Sequence, residues 1–287
     1  AGSEFTERDL LYKVLFDMRK DIVDLKKLVL EMISSGGVTG AFTESHAQII
    51  DKHSDFLECR DHSPASDYSR HILFHTDLQP AHILTEEDFE YIEKIRRERP
   101  QLKLVSFHLA SCYHDPDIEN GLFVPGTKRY SREELLKNAK YNIDRIKKIL
   151  GPDIAVAIEN NNYYATPAYD YVTDPSFITT IINDNSINLL YDIAHAKVSA
   201  YNKGITYEAY KNGLPLHKTI QIHICKSAVN EKMAYDSHFL PDEEEWTEVR
   251  SLLNENNGIQ YLTIEYYKEI AGLLSSLQQL KKAVSNE

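Results

Sequence analysis

The stretch INLLYDIAH (residues 187–195) carries the pattern that decides the fold of this chain of 287 residues. It is a short apolar run that ends in two side chains able to bind a metal, Asp192 and His195. Five further runs end in a similar way, and they are HILFHTD (71–77), LVSFHLA (104–110), IAVAIENNN (154–162), IQIHICKS (220–227) and YLTIEYY (261–267). Short runs rich in Val, Ile and Leu are typical of strands buried on both faces. The pattern therefore predicts a buried sheet with polar side chains along one edge.

Helical segments lie between these strands. One of them begins with a capping box, in which Ser131 and Glu134 satisfy each other's backbone amides. Alternating strands and helices predict a parallel sheet. A seventh strand is predicted at DFLECR (55–60) and an eighth at VTGAF (38–42). The sequence therefore predicts an α/β fold, a TIM-type (β/α)8 barrel formed by residues 41–287, with the polar side chains at the catalytic end of its strands.

Nine metal-capable residues fall at or near the ends of the six strands named first. They are His75, His108, Glu159, Asp192, His195, His223, Asp236, His238 and Glu265. Any one of them alone could be structural, but their recurrence at one edge predicts a metal site, with too many ligands for one ion. Carboxylates set among imidazoles, without thiolates, suit iron, manganese or zinc and disfavour a structural zinc site. Further candidates are Asn160, which could bind a metal or orient Glu159, and the loop histidines His62 and His114.

The N-terminal segment differs from the rest of the chain. Residues 1–5 (AGSEF) have the composition of a cloning scar, and SSGGVTG (34–40) has that of a flexible linker. Between them, residues 6–33 have apolar side chains at a/d spacing, namely Leu11, Leu15, Met18, Ile22, Leu25, Val29 and Met32. This spacing predicts an amphipathic helix that either forms a coiled-coil homodimer or packs on its own barrel.

Composition limits the possible partners and compartment. The formal net charge is −12, which argues against nucleic acid as a partner because phosphate contacts need clustered Lys and Arg. Neither a signal peptide nor an apolar stretch of membrane-spanning length is visible. The three cysteines, Cys59, Cys112 and Cys225, form no CxxC pair, and we expect the last two to be small buried side chains. A cytoplasmic protein that does not contact a membrane is the expectation.

The second half of the chain resembles a known enzyme family. The segments VSAYNKGITYEAYKNGLPLHKTIQIHICKS (198–227), DSHFLPDEEEW (236–246) and YLTIEYY (261–267) are similar to the multinuclear non-heme iron-dependent oxidative enzymes, the family of the methanobactin-synthesis oxidase. The resemblance covers roughly residues 50–268. It implies a TIM barrel that binds two or three irons and uses O2 to modify a Cys or Asp residue of a ribosomally synthesised precursor peptide. Partner proteins that deliver the peptide leader are common in this family.

The resemblance also implies a ligand set, with Asn160 close by. The implied ligands are His75, His108, Glu159, Asp192, His223, Asp236, His238 and Glu265. Three positions differ from the family pattern. Glu58 is followed by Cys59 rather than leading to a histidine two residues later, Phe107 replaces a glutamate before His108, and His195 replaces an asparagine.

Other functions remain open from the sequence. The order His, His, Glu, Asp-x-x-His, His, Asp-x-His, Glu also resembles endonuclease IV, a trinuclear zinc phosphodiesterase on the same barrel, and all nine residues match it. The sugar isomerases and epimerases of the same superfamily need one metal with about four ligands, which would leave Asp236 and His238 without a role. A non-catalytic scaffold is a further alternative. No residue is assigned as a catalytic acid or base.

Overall fold

Strands and helices alternate along the chain in the computed structural model, which describes residues 72–266 and 268–285. The strands are β1 (Ile72–Thr76), β2 (Leu102–Phe107), β3 (Asp117–Glu119), β4 (Leu122–Val124), β5 (Ala155–Glu159), β6 (Asn188–Asp192), β7 (Thr219–Ile224), β8 (Lys226–Val229), β9 (Ala234–Phe239) and β10 (Tyr261–Ile264). The α-helices are α1 (Glu86–Glu98), α2 (Arg132–Leu150), α3 (Pro175–Asn185), α4 (Ile193–Lys203), α5 (Tyr207–Asn212), α6 (Glu243–Glu255) and α7 (Ile270–Ser285). None of the helices in these residues is long and apolar enough to cross a membrane.

Six of the strands form one sheet in the order β1-β2-β5-β6-β7-β10, and every neighbouring pair is parallel. The order across the sheet follows the order along the chain, as in a barrel of βα units. The other four strands form two antiparallel hairpins, β3-β4 and β8-β9. Both hairpins lie in connections that follow the carboxyl end of a sheet strand.

The sheet is strongly curled. His75 lies in β1 and His223 lies in β7, four strand positions away, so a flat sheet would separate them by about 19 Å at the usual strand spacing. Their ring centroids are only 5.9 Å apart. The α/β class and the barrel-like curvature are therefore confirmed. The predicted strands at 55–60 and 38–42, the helix at 6–33 and the linker at 34–40 lie outside the described residues.

Alternation along the strands separates an apolar layer from a polar one inside the curled sheet. Leu104, Ala157 and Leu190 contact one another and form a small buried cluster within it. Glu159 comes two residues after Ala157, and Asp192 comes two residues after Leu190. Because side chains alternate along a strand, both carboxylates face the same side as this cluster. An apolar layer thus lies beneath a polar rim. The larger core fills the space between the sheet and its helices.

The strand predicted in INLLYDIAH ends at Asp192, and a helix follows it directly. Asp192 is the N-cap of α4, and its Oδ1 accepts a hydrogen bond of 2.7 Å from the backbone amide of His195. A carboxylate that satisfies a free amide starts a helix at this point. His195 therefore lies in the first turn of α4. The connection between β2 and α2 contains the β3-β4 hairpin.

The capping box predicted for α2 is present. Ser131 Oγ accepts from the amide of Glu134, and Glu134 Oε2 accepts from the amide of Ser131 at 2.8 Å. We expect Ser131→Ala to lower the free energy of unfolding by about 1 kcal/mol, because two helix amides lose their partners. Urea denaturation followed by circular dichroism measures it. Ser251→Ala, in α6, is the control and should change stability by less than about 0.5 kcal/mol; equal effects would contradict the prediction.

Candidate metal centre

The structure brings the nine predicted residues together at the carboxyl end of the sheet. Most of them line a cavity of about 460 Å³, and these are His75, His108, Glu159, His195, Asp236, His238 and Glu265. Asp192 and His223 lie beside them, with 0% and 3% of their surface exposed. The sheet strands contribute six of the nine at or just beyond their ends, α4 contributes His195, and the β8-β9 hairpin contributes Asp236 and His238.

Glu159 is the centre of this arrangement. Its Oε2 lies 2.9 Å from His108 Nε2 and 3.2 Å from His75 Nε2. Its Oε1 lies 3.1 Å from His223 Nδ1 and 3.6 Å from His195 Nδ1. The carboxylate is buried, with 1% of the residue exposed. Because each oxygen faces a different pair of imidazoles, this carboxylate is placed to bridge two ions.

The first group of possible ligands consists of His75, His108 and Glu159. The Nε2 atoms of the two histidines are 2.8 Å apart, and both are within 3.2 Å of the Glu159 carboxylate. Donors bound at about 2.1 Å and at right angles on one ion would be about 3.0 Å apart, which matches this spacing. On the far side of the His75 ring, Nδ1 is 2.8 Å from Ser106 Oγ, which orients the ring.

The second group consists of Glu159, Asp192 and His223. His223 Nδ1 is also 2.9 Å from Glu265 Oε1, so this nitrogen faces two glutamates. The amide of Gln221 lies 3.0 Å from the other ring nitrogen, Nε2, and holds the imidazole in this orientation. The group therefore offers one nitrogen and several carboxylate oxygens, and it shares Glu159 with the first group.

The third group lies on the β8-β9 hairpin and its surroundings. His238 Nε2 is 3.1 Å from Asp236 Oδ2 and 3.3 Å from Glu265 Oε2. His238 lies in β9 but has a φ of 44°, in the left-handed region, so simple strand alternation does not hold for it. The structure also places Cys225 in this group, together with Asp236 and His238.

Several buried polar atoms of the centre have no hydrogen-bond partner. Glu159 Oε2, Asp192 Oδ2 and His223 Nδ1 are inaccessible to solvent, and none of their close contacts has the geometry of a hydrogen bond. Buried polar atoms are normally paired, so orphaned acceptors that converge on one space indicate a missing partner. A cation satisfies a carboxylate oxygen and an imidazole lone pair at once. The residues present therefore fit metal ions.

Burial and close charges shift the pKa values of several side chains in the centre. Burial lowers the pKa of His75 to about 4, against the opposing charge of Glu159. Burial also lowers the pKa of His223, but contacts with Glu159 and Glu265 outweigh it and raise the value to about 10. Burial raises the pKa of Asp192 to about 7, and the charge of Glu265 adds to the rise. Four carboxylates in so small a buried space need positive charge beside them.

The side-chain amide of Asn160 bonds to the backbone of Asp192, whereas the sequence predicted an amide that binds a metal or orients Glu159. Its Oδ1 accepts from the amide of Asp192 and its Nδ2 donates to the carbonyl of Asp192, both at 2.9 Å. The backbone carbonyl of Asn160 lies 2.9 Å from His195 Nδ1. Asn160 thus ties the ends of β5 and β6 together and orients His195, whose Nε2 then faces Asp236 at 3.4 Å.

The remaining candidates lie elsewhere. The contacts described for His114 are with Tyr130, at 3.0 Å, and Asp115, at 3.7 Å, rather than with any of the nine residues. His62 lies outside the described residues. The structure adds Asp77, whose Oδ1 is 3.6 Å from His108 Nδ1, as well as Phe123 from the β3-β4 hairpin, to the cavity wall. Asp77 comes directly after β1, two residues beyond His75, and this His-x-Asp spacing was the available signal for it.

A protein-family profile described as "RiPP precursor modification enzyme MbnB/TglH/ChrH" matches residues 81–285. The chain belongs to this family. The family is one of enzymes, and the resemblance found in the sequence is confirmed. Curated relatives include a UPF0276 protein of Paraburkholderia phytofirmans, 32% identical over 47% of this chain and 44% of the relative, and one of Shewanella oneidensis, 22% identical over 53% and 52%. The chain thus spans about half the length of these relatives.

A UPF0276 protein of Caulobacter vibrioides is 25% identical over 70% of this chain and 71% of its own length. Among solved structures, "Crystal Structure of SacUVDE" matches with a TM-score of 0.46 and 16% identity, over 85% of this chain and 75% of that one. D-psicose 3-epimerase in the presence of D-fructose matches with a TM-score of 0.45 and 10% identity, over 75% and 76%.

We expect Glu159→Gln to remove most of the bound metal, because the amide keeps the shape of the side chain but loses the charge that faces four imidazoles. Metal content of purified protein, measured by plasma mass spectrometry, tests this. Glu245→Gln is the matched control, since Glu245 is also buried but pairs with Lys197 at 2.7 Å. Unchanged metal in a folded Glu159→Gln variant would rule out the bridging role.

Asn160→Ala should weaken metal binding about 10–100-fold without removing any of the nine proposed ligands, because the side-chain amide that holds the backbone of Asp192 is lost. Competition with a chromogenic chelator measures the affinity. Asn185→Ala is the control, because Asn185 is a buried amide in α3 that bonds to the carbonyl of Ile181. If both variants bind metal equally well, Asn160 has no orienting function.

Proposed function

We propose that the protein is a multinuclear iron-dependent oxidative enzyme that modifies a Cys or Asp residue of a ribosomally synthesised precursor peptide with O2. The observation that carries the proposal is the convergence of nine residues with nitrogen or oxygen donors, the buried carboxylate of Glu159 among them, in a chain whose family modifies such precursors. Two or three iron ions are proposed, with zinc or manganese as the alternative. The nine residues His75, His108, Glu159, Asp192, His195, His223, Asp236, His238 and Glu265 are the proposed ligands.

Three linked groups of side chains would hold the ions. Glu159 belongs to the first and the second group, which supports its use as a bridge between two ions. Glu265 contacts both His223 and His238 and so links the second group with the third. When bound, iron supplies the one-electron and O2 chemistry that no amino-acid side chain provides.

The cavity above the ligands fits one residue of a peptide. Its volume of about 460 Å³ lies within the usual range of small-molecule sites and exceeds what a single side chain needs. Phe123 from the β3-β4 hairpin and Asp236 from the β8-β9 hairpin lie in its wall, so the two hairpins flank the entrance. Asp77 and His238 offer a carboxylate and an imidazole there for binding or proton transfer.

The lining argues against phosphodiester hydrolysis, the nearest alternative. His195, which the endonuclease-like pattern requires, does lie in the centre, 3.4 Å from Asp236. The described residues that line the cavity include Asp77, Glu159, Asp236 and Glu265 but neither Lys nor Arg. An anionic phosphate backbone would meet negative charge at this entrance. A single-metal sugar isomerase would leave the third group of possible ligands without a role. A non-catalytic scaffold would not need buried polar atoms without hydrogen-bond partners, such as Glu159 Oε2 and Asp192 Oδ2.

The proposal also covers the partners and the location of the protein. A precursor peptide is the substrate, and a separate protein that binds its leader is a further partner. Residues 6–33 are proposed to form a homodimer contact, and the cytoplasm is the proposed location.

The proposal predicts that protein purified without oxygen contains two or three irons per chain. Asp192→Ala and His223→Ala should lower the iron content and abolish O2 consumption in the presence of precursor peptide. An iron assay and an oxygen electrode measure the two quantities, with Glu245→Gln as the control that retains both.

Three zinc ions, no iron and cleavage of an oligonucleotide with an abasic site would overturn the oxidative assignment in favour of the phosphodiesterase. Full O2 consumption by either alanine variant would also overturn it. A single ion per chain with isomerisation of a ketose would instead support the sugar isomerase.

A further inference from the structure

Cys225 differs in its surroundings from the other described cysteine. Both residues are fully buried. Cys112 belongs to the main hydrophobic core, and its thiol donates to the carbonyl of Pro167 at 3.1 Å. Cys225 belongs to neither of the apolar clusters formed by the described residues. The burial of Cys225 is therefore not explained by packing against hydrophobic side chains.

Cys225 follows a sheet strand at a position where its side chain faces the proposed metal centre. It follows β7 directly and lies two residues after His223, so the two side chains share the inner face of the sheet. The residue between them, Ile224, packs in the main hydrophobic core instead. The His-x-Cys spacing thus places a thiol beside a proposed ligand.

Carboxylates surround this thiol. Cys225 Sγ is 3.6 Å from Asp236 Oδ1. It lies within 4.8 Å of ligand atoms in two groups, one with Asp236 and His238 and the other with Asp192 and Glu265. Within the set that contains Asp192 and Glu265, Asp192 Oδ2 is buried and has no hydrogen-bond partner. A buried thiol among three carboxylates, one of them with an orphaned oxygen, is an arrangement that a cation stabilises.

We propose that Cys225 provides a thiolate ligand to the ion held by Asp236 and His238. The inference rests on the proposed metal centre. On coordination the thiol proton passes to solvent, a sulfur–metal bond forms, and neither partner changes oxidation state. A thiolate is a softer ligand than imidazole or carboxylate, so this position differs chemically from the group of His75 and His108. The three ions would then not be equivalent.

Cobalt(II) is the probe that tests this ligand, because a thiolate bound to cobalt gives an intense near-ultraviolet charge-transfer band that nitrogen and oxygen ligands do not give. The protein is freed of metal with a chelator, loaded with cobalt chloride without oxygen, and its bound cobalt is counted. We expect the band in the natural sequence, its loss in Cys225→Ser, and its retention in Cys112→Ser and Cys59→Ser. Circular dichroism checks that the variants fold.

X-ray absorption of the zinc-loaded natural sequence provides a second test that needs no variant. A sulfur scatterer at about 2.3 Å from zinc is expected. Cobalt bound without the charge-transfer band, or zinc without a sulfur neighbour, would overturn the inference and leave the proposed function intact. An unchanged band in Cys225→Ser would overturn it as well. Failure of the natural sequence to bind metal at all would overturn the proposed function itself.

Discussion

The burial of the Glu159 carboxylate among four imidazoles is the constraint on which the rest of the site depends. Removing a carboxylate from water costs several kcal/mol unless positive charge or hydrogen bonds replace the lost solvation. The histidines that contact it come from β1, the end of β2, α4 and β7. These elements reach one carboxylate only because the sheet is curled. The centre can therefore form only in a strongly curled sheet.

The layered interior explains how a chain can hold so many charges in one place. Apolar side chains such as Leu104 and Leu190 fill the space beneath the rim, so the charged layer lies on a close-packed base. Groups that are not ligands orient those that are: Ser106 contacts His75, Gln221 contacts His223, and Asn160 joins the ends of β5 and β6. Such contacts keep donors at fixed spacing.

The proposed metal centre combines donors that the family resemblance implies with donors of its own. Eight of the proposed ligands are those that the family resemblance implies, and His195 and Cys225 are proposed in addition to them. His195 is oriented by the carbonyl of Asn160, and Cys225 faces Asp236. Both lie on the side of the β8-β9 hairpin rather than on that of His75. Asp236 and His238, which the resemblance implies as ligands, lie on this hairpin too, so the expected and the divergent donors meet in the same part of the centre.

Local patterns in the chain were enough to predict the six strands of the parallel sheet, the Ser131–Glu134 capping box and the donors at the ends of those strands, because apolar runs, caps and strand ends depend on near neighbours. Other features depend on contacts between distant segments. The start of α4 at Asp192, the β8-β9 hairpin and the carboxylates around Cys225 arise only when strands and hairpins come together. The role of Asn160 also depends on a distant segment. Its side-chain amide could bind a metal or a backbone group, and in the folded chain it bonds to the backbone of Asp192 at the end of the neighbouring strand. A sequence specifies which donors are available, and the three-dimensional packing selects what each donor faces.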